Sequence, residues 1–104
     1  MSACHIAFPT LAWERGGHPQ ERKRLDPRVP GAILLEFGPG FSDPAWCVRG
    51  HAGLVLTGSL GLELEDARMI VAAGEGFTVD PGTRHRAFNP GSDPVELFIV
   101  TRDA

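Results

Sequence analysis

Residues 74–89 read Gly-Glu-Gly-Phe-Thr-Val-Asp-Pro-Gly-Thr-Arg-His-Arg-Ala-Phe-Asn. Gly74-Glu75-Gly76 signals a turn, and Phe77-Thr78-Val79 has the apolar alternation of a short strand. Asp80-Pro81-Gly82 reverses the chain, because proline presets φ and glycine accepts conformations closed to other residues. His85 to Asn89 then predicts a second strand, ended by Asn89-Pro90-Gly91. The stretch is two short strands around a polar turn, with a histidine just beyond it.

The same grammar extends outward. Leu60, Leu62 and Leu64 alternate with Gly61, Glu63 and Glu65, which predicts a half-buried strand with one wet face. Asp66-Ala67 reverses it into a strand over 68–72. Upstream, 53–57 predicts a strand closed by Gly58-Ser59, 45–49 a short strand stopped by Gly50, and 31–37 an apolar strand ended by Gly38-Pro39-Gly40. Downstream, 95–102 predicts the closing strand, with Phe98 and Val100 on one face and Leu97 and Ile99 on the other. No segment has a 3.6-residue period. Many short strands between Gly/Pro turns indicate an all-β, antiparallel sandwich or barrel. Residues 1–30 lack a period; they predict a lead-in packed across a barrel of residues 31–104, with one short strand around 11–14.

At 104 residues the chain suits one domain and can bury a core without disulfide staples. A net charge of −3 argues against nucleic acid, which requires a basic face. The basic residues between Arg15 and Arg28 are interleaved with Glu14, Glu21 and Asp26, and read as solvated. No apolar run approaches the roughly 20 residues that span a bilayer, and residues 1–10 lack a basic and apolar leader pattern. Cys4 and Cys47 are expected to be free thiols in a cytoplasmic protein.

Gly74, Gly82, His85 and Asn89 resemble the second motif of the cupins, G-x5-P-x-G-x2-H-x3-N, with Asp80 in place of its first proline. The run Leu54-Val55-Leu56-Thr57-Gly58 is similar to the strand and turn that close the first cupin motif, G-x5-H-x-H-x3-4-E-x6-G. Anchoring that motif on Gly58 puts His51 at the glutamate; with the three-residue spacer Cys47 takes the second histidine position and Ala45 the first, whereas the four-residue spacer puts Trp46 and Pro44 there, which cannot bind metal. The resemblance covers about residues 32–100. It implies a double-stranded β-helix, or jelly-roll-like barrel, and a homodimer, since pairing with a second copy covers exposed sheet edges.

Spacing alone does not bring Cys47 near His51, because four residues of straight strand span about 13 Å. The cupin resemblance implies that Gly50 lets the chain turn, so that Cys47, His51 and His85 face one barrel mouth. One thiolate and two imidazoles suit zinc, iron or nickel better than magnesium or calcium. Three protein ligands leave a position open for water or a small molecule. Trp46, Phe88 and Arg84 are candidates for the ligand pocket, while Glu36, Glu63 and Glu65 read as solvent-face charges. The resemblance leaves three functions open: a metal-associated cupin that binds a small molecule, a metal-dependent dioxygenase or isomerase, and a sensor or metal-free barrel without turnover.

Overall fold

The computed structural model describes residues 3–102; the outermost limits of the expected lead-in and barrel, residues 1 and 104, lie outside them. A single 3-10 turn at Phe8–Thr10 is followed by β1 (Glu14–Arg15), β2 (Glu21–Leu25), β3 (Ala32–Phe37), β4 (Gly50–Thr57), β5 (Ser59–Leu64), β6 (Arg68–Ala72), β7 (Gly76–Val79), β8 (His85–Phe88) and β9 (Val95–Arg102). There is no α-helix among the described residues. The strands form two antiparallel sheets, one of six strands in the order β1-β2-β3-β9-β4-β7 and one of three in the order β6-β5-β8. The chain is therefore all-β, as its turns and alternation indicate.

Register decides what faces inward. Residues opposite one another in an antiparallel pair share a face. Ile33 pairs with Ile99, Leu35 with Leu97 and Phe37 with Val95 across β3 and β9; Val55 meets Leu97 across β4 and β9. These residues, with Leu60, Leu62 and Val71 from the small sheet, make one core. Phe98 and Val100 fall on the outer face, where Phe98 packs edge-on against Phe8.

Three local expectations give way. Pairing near the N-terminus begins at Glu14, not Leu11. The segment 45–49 forms no strand: only Cys47 bridges, to His85. Gly50 does not stop a strand but opens β4. The reason is close approach. A Cβ on Gly50 would lie 2.5 Å from the carbonyl oxygen of Arg102 and 2.8 Å from the Pro81 ring, so only glycine fits there.

A further difference lies within residues 1–30. The basic stretch is a regular strand, β2, whose Glu21 to Leu25 pair in full register with Phe37 to Ile33 of β3. Without β2 that side of β3 would be an unpaired edge. The outer residues of β2 are charged and partnered: Arg22 makes a two-pronged contact with Glu36, at 2.8 and 3.1 Å. Arg22 and Arg24 both stack on Trp13.

The motif asparagine has a structural role. Asn89 is buried and its amide nitrogen donates to the carbonyls of Phe37 (3.2 Å) and Asp93 (2.9 Å), while its oxygen accepts the Gly91 N–H. It ties β3 to the turn that launches β9. Replacing it by alanine orphans a buried carbonyl, which costs about 1–3 kcal/mol beyond the lost bonds. Asn89→Ala is expected to lower the urea midpoint by an amount worth about 2–4 kcal/mol, and an unchanged midpoint would contradict this role.

Candidate functional site

His85 opens β8 directly after the turn at Gly82, whose φ of +88° favours glycine and whose N–H donates to the Val48 carbonyl. The His85 side chain is buried, 5% exposed. Its Nδ1 lies 2.8 Å from the Thr83 carbonyl oxygen. A carbonyl can only accept, so Nδ1 carries the hydrogen and Nε2 keeps its lone pair for a metal or a donor. This is how metal-binding histidines are commonly oriented.

Cys47 is held opposite His85 by a reciprocal pair of backbone hydrogen bonds, at 2.8 and 2.9 Å. That pairing puts both side chains on one face. The Cys47 sulfur accepts the Arg49 N–H at 3.4 Å. His51 arrives from β4, paired with Val79 on one side and Thr101 on the other. Its ring stands perpendicular to that of His85, at 88° with centroids 5.6 Å apart. One ligand atom from each of Cys47, His51 and His85 lies within 4.8 Å of the other two. Ligands of a tetrahedral zinc at 2.0–2.3 Å from the ion sit roughly 3.3–3.8 Å apart. Small side-chain rotations close that difference, so the donor set fits a borderline-to-soft divalent ion.

These three residues line a cavity of about 380 Å³ between the sheets. Its walls are largely apolar, with Leu35, Phe37, Phe77, Leu97 and Ile99 among them. Ala45 also lines it, but a methyl group offers no ligand. Trp46 lines it too. Phe88 and Arg84 do not, and alternation explains it. His85 and Ala87 face inward, so Arg86 and Phe88 face outward, where the Phe88 ring covers Gly61 and lies under Arg68. Arg84 and Arg86 stack on Trp46, their guanidinium carbons 4.8 and 4.3 Å from its ring centre. Arg84 also pairs with Glu65 and Arg86 with Glu63, so both arginines belong to the rim. Glu63 holds Arg68 as well, and these two arginines keep its carboxyl below the usual carboxylate range.

Sequence reasoning missed three polar residues in the cavity: Glu21, Lys23 and Asp43. The Asp43 carboxylate accepts the Ala87 N–H at 2.8 Å. Burial raises its pKa, partly opposed by that hydrogen bond. Glu21 accepts the Gly17 N–H at 3.1 Å; burial raises its pKa too, followed by the nearby charge of Asp43. The only available signal was the i, i+2 spacing of Glu21, Lys23 and Leu25, which puts them on one face of a strand.

The family described as the cupin domain matches residues 34–101. No curated protein sequence matches the chain. Among solved structures, a predicted oxalate decarboxylase from Thermotoga maritima superposes with a TM-score of 0.76 at 17% identity, covering 94% of this chain and 97% of that one. The polyketide cyclase RemF from Streptomyces resistomycificus gives 0.75 at 22% identity, covering 95% and 78%. The CENP-C cupin domain of Drosophila melanogaster gives 0.69 at 14% identity, covering 89% and 76%. At these identities the likeness is one of fold, shared by a polyketide cyclase, a predicted oxalate decarboxylase and the CENP-C cupin domain. The motif residues, the two-sheet barrel and the match over residues 34–101 together make this chain a member of the cupin domain family.

Proposed function

We propose that this protein binds a divalent transition metal, zinc, iron or nickel, through Cys47, His51 and His85, and a small molecule in the same cavity. The observation that carries this reading is the convergence of three ligand atoms within 4.8 Å of one another. Such an ion supplies Lewis acidity and an open coordination position. The residues of this chain do the rest. Thr83 fixes the proton of His85 on Nδ1, the Arg49 N–H donates to the Cys47 sulfur, and apolar side chains wall the cavity beside them. The same fold serves a polyketide cyclase, a predicted oxalate decarboxylase and the CENP-C cupin domain, so binding is the function proposed.

Free thiols at Cys4 and Cys47 suit a reducing compartment, and we place the protein in the cytoplasm. Among the described residues no helix is long and apolar enough to cross a membrane. The net charge of −3 favours a small molecule over nucleic acid as partner. The outer face of the six-stranded sheet exposes Leu54, Leu56 and Val100, each just over 40% accessible, and we take a second copy of the chain as its cover.

Native mass spectrometry tests both parts at once. After equilibration with zinc, iron(II) or nickel in turn and removal of excess, at least one metal should load at one ion per chain on a particle of twice the chain mass. Loading well below one ion per chain with all three overturns the metal reading, and a particle of single mass overturns the dimer.

A further inference from the structure

The cavity has a second polar end. β2 alternates, with Arg22 outward against Glu36, so Glu21 and Lys23 face inward opposite Phe37 and Leu35. Both line the same cavity as Cys47, His51 and His85. Lys23 is the only lysine or arginine among the lining residues. The two carboxylates beside it each have an oxygen held by a backbone N–H: Glu21 by Gly17 and Asp43 by Ala87. Lys23 has no such anchor. Its charge reaches Glu21, yet no carboxylate of the described residues lies within ion-pair distance of it. Lys23 is partly buried, and its ammonium offers three donors. A ligand carboxylate supplies an acceptor for them through a charge-assisted hydrogen bond.

We infer that Lys23 is the anion-recognition residue of the cavity and that its ligand is a small aliphatic carboxylate, its charge on the Lys23 ammonium and its carbon chain against Leu35, Leu97 and Ile99. This deepens the reading that the cavity binds a small molecule, and it does not require the metal. Charge selects carboxylate over phosphate. Glu21 and Asp43 already put negative charge on this wall, and one ammonium balances a monoanion better than a dianion. The apolar lining favours a carbon chain over a polyhydroxylated one, which would leave its hydroxyls unpaired. The cavity volume falls at the small end of the roughly 300–1,000 Å³ of ligand sites.

The test compares hexanoate with hexanamide, which have nearly the same shape and differ in charge, by amide-shift titration of the whole chain. It is done with the protein as purified and again after metal removal by chelation. Wild type should prefer hexanoate by about tenfold or more in both forms, as a charge-assisted hydrogen bond implies. The shifts should centre on Lys23, Leu35 and Ile99. Lys23→Met, which keeps the stem and drops the charge, should abolish the preference while leaving metal content unchanged; Lys23→Arg should retain it. Equal binding of the two probes by wild type overturns the inference without need of any variant, as does binding of neither. A preference that survives Lys23→Met, or that appears only in the metal-loaded form, assigns the carboxylate to the ion and overturns it too. Failure of the metal reading shows separately, as absent metal alongside an intact Lys23-dependent preference.

Discussion

A chain lacking residues 95–104 is expected to be insoluble or molten, without the dispersed amide spectrum of a folded barrel. β9 is not a terminal appendage. It lies between β3 and β4 in the six-stranded sheet, paired with six residues of β3 and seven of β4. Its removal splits that sheet into two unpaired edges. It also removes Val95, Leu97 and Ile99, which are at most 8% exposed. At about 1.5–3 kcal/mol for each buried side chain, those three alone contribute roughly 5–9 kcal/mol, against a total stability of about 5–15 kcal/mol for a domain. Leu97 is the β9 residue paired with both Leu35 and Val55, so its loss opens the centre of the core. A graded version is Leu97→Ala, which should cost about 2–5 kcal/mol and remain folded. A cooperative, reversible unfolding transition in the truncated chain would mean that β9 is dispensable and that the core has been misplaced.

Much of this was legible in the sequence, for reasons that can be named. The 74–89 stretch encodes its turn in residues that few others can replace, and the strand that follows sets the parity of His85. The alternation at 60–65 and the apolar run at 31–37 specify which side is core. What was not legible is where hydrophobic patterning is silent. β2 carries Glu21 and Lys23 on its inner face and arginines on its outer face, so its period of two is invisible in a hydrophobicity reading and the segment passes for a solvated lead-in. Its fate is decided by β3, which offers it an edge to pair with. Phe88 looked like a pocket residue because aromatic side chains often are; its parity relative to His85 puts it outside. The closeness of Cys47 and His51 was likewise not a property of their spacing. It depends on Cys47 leaving the strand pattern to bridge His85, and on Gly50 passing against Arg102 and Pro81 with no side chain.

Stripping metal from the wild-type protein should lower its melting temperature by about 10–20 °C. An ion bound only by the native state stabilises it by mass action, about 2.7 kcal/mol when present at a hundred times its dissociation constant, and each kcal/mol is worth roughly 4–8 °C in a domain of this size. The ligand variants separate this from packing. His85→Ala should abolish both metal loading and the response to chelator. His85 is the most enclosed of the three and the one whose tautomer is set by a backbone partner. Cys47→Ser keeps the backbone bridge to His85 and nearly the same volume, so its fold should persist while affinity drops by at least about 100-fold, beyond the 10–100-fold typical of losing a residue that only orients a ligand. His51→Ala should fall with Cys47→Ser. Double variants should cost little more than single ones in metal content, because two remaining ligands already fail to hold the ion. Loading should weaken on acidification for wild type, since the thiol must lose its proton and the imidazoles must be neutral to bind. If chelator leaves the wild-type melting temperature unchanged and His85→Ala melts lower by the same margin with and without metal, the three residues are packing neighbours. The cavity then depends on Lys23 and its apolar walls alone for whatever it binds.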